Sequence, residues 1–333
     1  MSFEKELQVA VAAVSEAAIL CREVQSGITP ETLEKKDRSP VTVADYGSQA
    51  LVCSQIRDAF PDDIIIAEED ASALREADNT TLRDKVLEHV AKLRPDASND
   101  DVCSWIDHGF HRDQCDRFWT LDPIDGTKGF LRRDQYAVSL ALIIDGELKV
   151  AAMACPNLSV AADQPDNRGV VYTAIAGEGT FAQPLDSDDA PVKVQVSDNR
   201  KTADCRFCES VESGHSSHGD AAAIASQLNI TQEPARLDSQ AKYGVVARGE
   251  ADIYLRLPTR ADYQEKIWDH GGGALIIEEA GGKVTDIHGQ ALDFTNGHLL
   301  SKNKGVIATN GHVHEQVLAA VTEVLNLQRS SEA

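Results

Sequence analysis

Trp119-Thr120-Leu121-Asp122-Pro123-Ile124-Asp125-Gly126-Thr127 decides how the rest of the chain is read. Phe118 to Leu121 is an apolar run rich in β-formers that stops at Asp122 and Pro123, which predicts a buried strand ending in a carboxylate. Asp122, Asp125, the Ile124 carbonyl between them and the Thr127 hydroxyl are oxygen donors suited to hard cations. Pro123 has a fixed φ and no N–H, and Gly126 has access to backbone conformations closed to other residues. The turn can therefore be rigid with its free amides outward, a geometry that suits phosphate. Taken alone, Asp-x-x-Asp-Gly-Thr also describes a solvated turn between two strands.

Further carboxylates lie outward from this turn. Ile64-Ile65-Ile66 predicts a buried strand that leads to Glu68-Glu69, a pair costly to crowd unless a cation lies between them or they face water. Upstream, the basic patch Lys35-Lys36-Asp37-Arg38 precedes a short strand near Val41 to Val43. Asp45 then stands at the start of a helix running to Phe60, where it could be a cap. Downstream, Asp269 opens a helix over 267–280 and is followed by Gly271-Gly272-Gly273. Each of these glycines weakens a helix by roughly 1 kcal/mol against Ala, a cost easier to understand at a ligand site than in scaffold.

The nonamer closely resembles the metal-binding signature of the inositol monophosphatase superfamily of magnesium-dependent, lithium-sensitive phosphatases, W-x-(I/V/L)-D-P-(I/L)-D-G-T. Ser39-Pro40-Val41-Thr42-Val43-Ala44-Asp45 resembles the family's S-P-V-T-x-A-D element, and Ala67-Glu68-Glu69 its G-E-E element with Ala in place of Gly. Trp268-Asp269 with Glu279-Ala280-Gly281-Gly282 resembles its second signature, W-D-x-A-A-G followed by E-A-G-G, with three glycines where small residues including Ala are usual. The resemblance implies a layered α+β / α/β sugar-phosphatase fold, an αβαβα sandwich of two packed subdomains. Residues 1–155 would form the metal-binding subdomain and 156–333 the nucleotide-binding one. It also implies two or three Mg²⁺ ions held by Glu68, Asp122, the Ile124 carbonyl, Asp125 and Asp269. Asp45 and Thr127 would activate water, and the Gly126 and Thr127 amides would grip the transferred phosphate.

Asp238-Ser239-Gln240-Ala241-Lys242-Tyr243 and Tyr254-Leu255-Arg256-Leu257-Pro258 resemble the 3'(2'),5'-bisphosphate nucleotidase branch of that family. The long insert at 72–116, in which the sequence suggests helices and no chemistry, also fits the larger bisphosphatases. The branch implies hydrolysis of the 3'-phosphate of adenosine 3',5'-bisphosphate (PAP), activity on its sulfated analogue PAPS, and a role in sulfur assimilation and salt tolerance. Ser239, Lys242, Arg256 and Asp269 would hold the AMP moiety together with His215, preferred over His218. Alternatives are an inositol polyphosphate 1-phosphatase or inositol monophosphatase activity, and a non-catalytic phosphonucleotide sensor.

Bulk composition bounds the partners. With 32 basic and 54 acidic residues the net charge is −22, which repels nucleic acid and anionic membranes and leaves any phosphate-bearing substrate to local cations. No apolar run approaches the roughly 18 residues needed to span a bilayer, and the acidic start Met1-Ser2-Phe3-Glu4 lacks the features of a signal or transit peptide. A cytoplasmic monomer acting on a small molecule is expected. Seven dispersed cysteines fit reduced thiols, and the lone Cys205-x-x-Cys208 fits core thiols better than zinc. Ser2 is the expected cap of a first helix over 3–24, Asp145-Gly146 the turn of a hairpin, Pro156 the end of that sheet, and Cys155 the approximate subdomain boundary.

Overall fold

The apolar run ending at Asp122 is the second strand of a seven-stranded sheet in the computed structural model, which describes residues 2–28, 39–113, 115–187, 189–211, 218–260 and 262–331. Helix α1 (Glu4–Ser26) comes first, with Glu4 and Glu6 in its opening turn, where acids complement the helix dipole. Its N-cap is Phe3, without a side-chain cap bond, rather than the expected Ser2. Helix α2 (Ser39–Ala59) begins where a short strand was expected, so Asp45 lies inside the helix and is not its cap. Pro40 is compatible with a first helical turn, and packing of α2 along α1 overrides the β-propensity of Val41, Thr42 and Val43.

Strand β1 (Ile64–Ala67) leads into the helical insert, made of α3 (Ser72–Arg75), α4 (Thr80–Ala91) and α5 (Asn99–His108). Ser98 caps α5 reciprocally with Asp101, the Ser98 hydroxyl accepting from Asp101 N at 3.2 Å and Ser98 N donating to the Asp101 carboxylate at 2.9 Å. The sheet then continues with β2 (Arg117–Asp125), the short helix α6 (Thr127–Arg132), β3 (Ala137–Ile144), β4 (Glu147–Ser159), β5 (Arg168–Ile175), β6 (Gly179–Pro184) and β7 (Val192–Val194). These strands lie in sequence order; β1 and β2 are parallel and every later pair is antiparallel. Asp145 and Gly146 both take positive φ, as the expected two-residue hairpin turn demands. Pro156 does not end the sheet: β4 carries on to Ser159 through a register shift after Cys155, which accommodates a residue without an N–H. The division expected near Cys155 falls inside β4, and the chain leaves the first sheet only after Val194.

The second half alternates β8 (Phe207–Glu209), α7 (His218–Gln227), β9 (Ala235–Arg236), α8 (Ala241–Ala247), β10 (Ile253–Arg256), α9 (Gly271–Glu279), β11 (Lys283–Thr285), β12 (Val306–Thr309) and α10 (His314–Ser331). Its five strands run in the order β11-β12-β10-β8-β9. Helices α1 and α2 cover the outer face of the first sheet, α8 and α9 lie between the sheets, and α7 and α10 cover the second. This is the expected αβαβα layering: α1 and α2 bury an apolar face against the first sheet, while α8 and α9 are buried nearly all round between the two sheets. No helix of the described residues is long and apolar enough to cross a membrane. All seven cysteines are free, and burial pushes the Cys205 and Cys208 thiols up to about 12, as befits inert core thiols.

Candidate active site

Parallel pairing sets Ala67 beside Leu121, so Glu68, just past the end of β1, and Asp122, still paired with Ser139 in the β2–β3 ladder, lie side by side at the same end of the two strands. The other end of β2 is anchored by buried Asp63, which accepts from Arg117 Nε at 2.7 Å and Trp119 Nε1 at 2.8 Å. Beyond Asp122 the β2–β3 register shifts before Asp125, and Ser48 of α2 donates to the Pro123 carbonyl at 2.8 Å, holding the turn from behind. Gly126 then adopts φ 89°, and a Cβ there would lie 2.9 Å from the Ser239 Cβ. Both facts exclude larger residues and bring the first half's turn against the second half's Ser239. Across that contact Gln240 N donates to Asp125 Oδ2 at 2.6 Å.

One cavity of about 350 Å³ lies at this meeting. Glu68, Asp122, Ile124, Asp125 and Asp269 line it together with Gly126 and Thr127, and so do Ser239, Lys242 and Arg256. Asp45 is buried in α2 and does not line the wall, and no hydrogen bond joins it to Thr127 among the described residues. It is close enough to Glu68 and Glu69 for their charges to act on it. His215 lies outside the described residues, and His218 opens α7.

The acidic end of the cavity is short of positive charge. Burial, then Glu68, Asp125, Asp269 and Asp45, raise the Asp122 carboxyl far above the usual range, and Asp122 Oδ1 is buried without a hydrogen-bond partner. Burial raises Asp45 likewise, with Glu69 and Glu68 adding to it. Enclosure by protein pushes Glu68 up to about 8, with Asp269, Glu69 and Asp125 adding, although the side chain stays open to solvent that tempers the effect. Burial also raises Asp269, against the pull of Arg256. Crowded carboxylates and an orphaned carboxylate oxygen are what an oxygen-liganded divalent cation would relieve, so the donor set fits a hard metal ion.

The opposite wall is cationic. Lys242 is buried, and its ammonium donates to the carbonyls of Ser239 at 2.7 Å and Leu237 at 3.3 Å. Arg256 meets Glu265 through Nε at 2.8 Å, and Asp269 and the Tyr263 hydroxyl through Nη2, each at 3.2 Å. Behind it, His270 bridges Glu265 at 3.1 Å and the Tyr243 hydroxyl at 2.8 Å. Glu265, Asp269 and His270 bring ligand atoms within 4.8 Å of one another. The Arg256 guanidinium already sits between the two carboxylates and both His270 nitrogens are engaged, so this group is an ion-pair network rather than a metal cage.

Three features escaped the sequence. Arg112, from the insert thought to be without chemistry, donates to the Ala67 and Glu68 carbonyls at 2.7 and 3.2 Å and so fixes the Glu68 turn. Gln240 lies inside the Asp-Ser-Gln element, yet nothing in its type or spacing marks it as the donor that holds Asp125. The three glycines of α9 answer to packing rather than to a ligand. A Cβ would come within 3.2 Å of Thr120 at Gly271, 2.3 Å of Ser139 Oγ at Gly272 and 2.3 Å of the Tyr243 ring at Gly273.

Residues 3–326 match the model of the inositol monophosphatase family. The chain is 45% identical to a 3'(2'),5'-bisphosphate nucleotidase of Schizosaccharomyces pombe, over 97% of each chain. It is 46% identical to a 3'(2'),5'-bisphosphate nucleotidase of Emericella nidulans, over 98% of this chain and 100% of the relative. Its fold matches that of the inositol monophosphatase from Anabaena with a TM-score of 0.63 at 21% identity, over 97% of each chain. With its acidic turn, its layered sheets and nearly its whole length accounted for by these matches, the chain belongs to the inositol monophosphatase family.

Proposed function

We propose that the chain is a magnesium-dependent 3'(2'),5'-bisphosphate nucleotidase that hydrolyses the 3'-phosphate of PAP to AMP and phosphate, and acts also on PAPS. The observation that carries this reading is a single cavity whose one wall is acidic and whose other wall bears Lys242 and Arg256. A phosphate to be removed calls for metal, and one to be retained calls for Lys, Arg and hydroxyl donors. The identity to named bisphosphate nucleotidases supports the same substrate.

Glu68, Asp122, the Ile124 carbonyl, Asp125 and Asp269 would hold two or three Mg²⁺ ions. Bound there, they would supply Lewis-acid charge that neutralises the phosphoryl oxygens and the leaving alkoxide. The chain's own part is orientation and proton transfer. Asp45, its basicity raised by burial and by Glu69 and Glu68, is the general base in this reading, and the Thr127 hydroxyl, which lines the cavity, would relay the proton of the attacking water once it turns to hydrogen-bond Asp45. The amides of Gly126 and Thr127 grip the transferred phosphate. Ser239, Lys242, Arg256 and Asp269 seat the AMP moiety, with His215 completing that seat. In this reading the protein works as a cytoplasmic monomer, is inhibited by lithium and sodium, and supports sulfur assimilation and salt tolerance.

The test is phosphate release from PAP, PAPS and inositol monophosphate, with and without Mg²⁺ and Li⁺. Faster release from PAP than from inositol monophosphate, dependent on Mg²⁺ and absent from Asp125→Asn, is expected. Preference for inositol monophosphate overturns the substrate, and full turnover by Asp125→Asn overturns the metal assignment.

A further inference from the structure

Asp238 is common to the walls of the catalytic cavity and of a second cavity of about 500 Å³, within the size range of small-molecule sites. Arg133, Arg168, Arg206, Arg236 and Arg248 line it, a concentration of like charge in a molecule whose net charge is −22. Two of the five are neutralised: Arg248 pairs with Glu250 at 2.7 Å and Arg236 with Glu209 at 3.5 Å. The remaining three have no carboxylate partner among the described residues. Arg133 donates to the backbone carbonyls of Ser26 and Ile28, Arg168 to that of Pro165 at 3.3 Å, and Arg206 to that of Glu233 at 2.9 Å. A carbonyl contact fixes a guanidinium in place but leaves its charge whole. The wall's own acids do not make up the difference, because Asp238 and Asp134 are both taken by Arg132, at 2.5 and 3.1 Å, and Glu250 by Arg248.

We propose that this cavity is a second anion site, built for a small metabolite carrying a phosphate or sulfate group and separate from the catalytic cavity. Planar guanidinium groups held by backbone contacts offer paired donors to a tetrahedral oxyanion without first losing much side-chain freedom. Crowding such groups is unfavourable in isolation and becomes favourable when an anion joins them. The site stands whether or not the proposed nucleotidase reading is correct.

Inorganic sulfate is the probe. It is titrated calorimetrically into the full-length protein in EDTA, at an ionic strength matched with chloride, and the double variant Arg168→Gln/Arg206→Gln and Lys242→Ala are titrated alongside. Wild type should bind sulfate saturably, the double variant should lose one equivalent or bind it at least tenfold more weakly, and Lys242→Ala should keep that equivalent. An unchanged stoichiometry and affinity in the double variant overturns the proposal, as does loss of all binding in Lys242→Ala or the lack of saturable heat in wild type. If the double variant does not fold, Arg168→Gln alone, at an exposed side chain with one backbone contact, gives the same reading. Phosphate release from PAP by the double variant, measured separately, shows whether the catalytic reading fails independently.

Discussion

Gln240 is tied into the structure at both ends of its side-chain amide. Its Oε1 accepts from Ser139 Oγ at 2.9 Å and Gly273 N at 3.3 Å, and its Nε2 donates to the Trp268 carbonyl at 2.9 Å, next to Asp269. Its backbone N–H meanwhile holds Asp125. One buried residue therefore fixes the positions of two proposed metal-binding carboxylates drawn from opposite halves of the chain. Gln240→Leu keeps the volume but leaves three polar groups unpaired, which costs about 1–3 kcal/mol for each group left unsatisfied. Residues that orient metal ligands typically affect metal affinity or activity by about 10–100-fold. The midpoint of Mg²⁺ activation in Gln240→Leu should rise by that factor, while KM for PAP at saturating Mg²⁺ stays within about threefold of wild type. A Mg²⁺ titration that superimposes on that of wild type would remove the Gln240 side chain from this role, since the backbone bond to Asp125 is present in both proteins.

Helix α9 owes its triple glycine to the depth at which it sits between the two sheets. At Gly272 a methyl group would collide with Ser139 Oγ at 2.3 Å, whereas the Ser139 Cβ is a tolerable 3.7 Å away. Gly272→Ala should therefore destabilise the fold, and Ser139→Ala should cost a smaller amount through its lost bond to Gln240. The double variant should be more stable than the sum of the two losses predicts, by about 1 kcal/mol or more, because the colliding oxygen is gone. Strictly additive losses in denaturant unfolding would show that the helix takes up the methyl group in some other way. This contact also marks what the sequence can convey about an element. Long apolar runs and an Asp-Gly turn made β2, β3 and β4 legible, since period and turn chemistry are local. The same local rules read Val41-Thr42-Val43 as strand, where packing against α1 makes helix, and read the glycines as ligand-facing, where a distant tyrosine and serine require them. Nothing local distinguishes Arg112 from any surface arginine. Its place against the Glu68 turn follows from the path of the whole insert.

At the scale of the molecule both halves of the chain supply one cavity. The first contributes the acidic turns after β1 and β2, and the second brings Lys242 of α8, Arg256 of β10 and the carboxylate of Asp269. Motif spacing identified both sets, but their convergence depends on stacking residues more than 100 apart in sequence, which no local pattern encodes. That stacking is sealed on the outer side by α10, and His314 is its buried tie. Its Nε2 meets the Thr285 hydroxyl at 2.9 Å and its Nδ1 the Thr309 hydroxyl at 3.0 Å, joining β11 and β12 to the helix. Burial, helped by Lys283, lowers the imidazole from 6.5 to about 4. Because the fold holds the neutral form, this contribution is complete above pH 6.5 and is lost as pH falls from 6.5 toward 4. By pH 5 the loss is about 2 kcal/mol, since each tenfold difference in proton affinity between the folded and unfolded chain is worth about 1.4 kcal/mol. His314→Gln should be less stable than wild type at pH 7.5, where its amide cannot reproduce both bonds, yet the gap should narrow as pH falls to 5. Thermal unfolding of both proteins in EDTA across that range measures the gap directly. A difference in melting temperature that stays constant from pH 7.5 to 5 would mean that His314 does not titrate with unfolding, and acid lability would then have to arise elsewhere in the molecule.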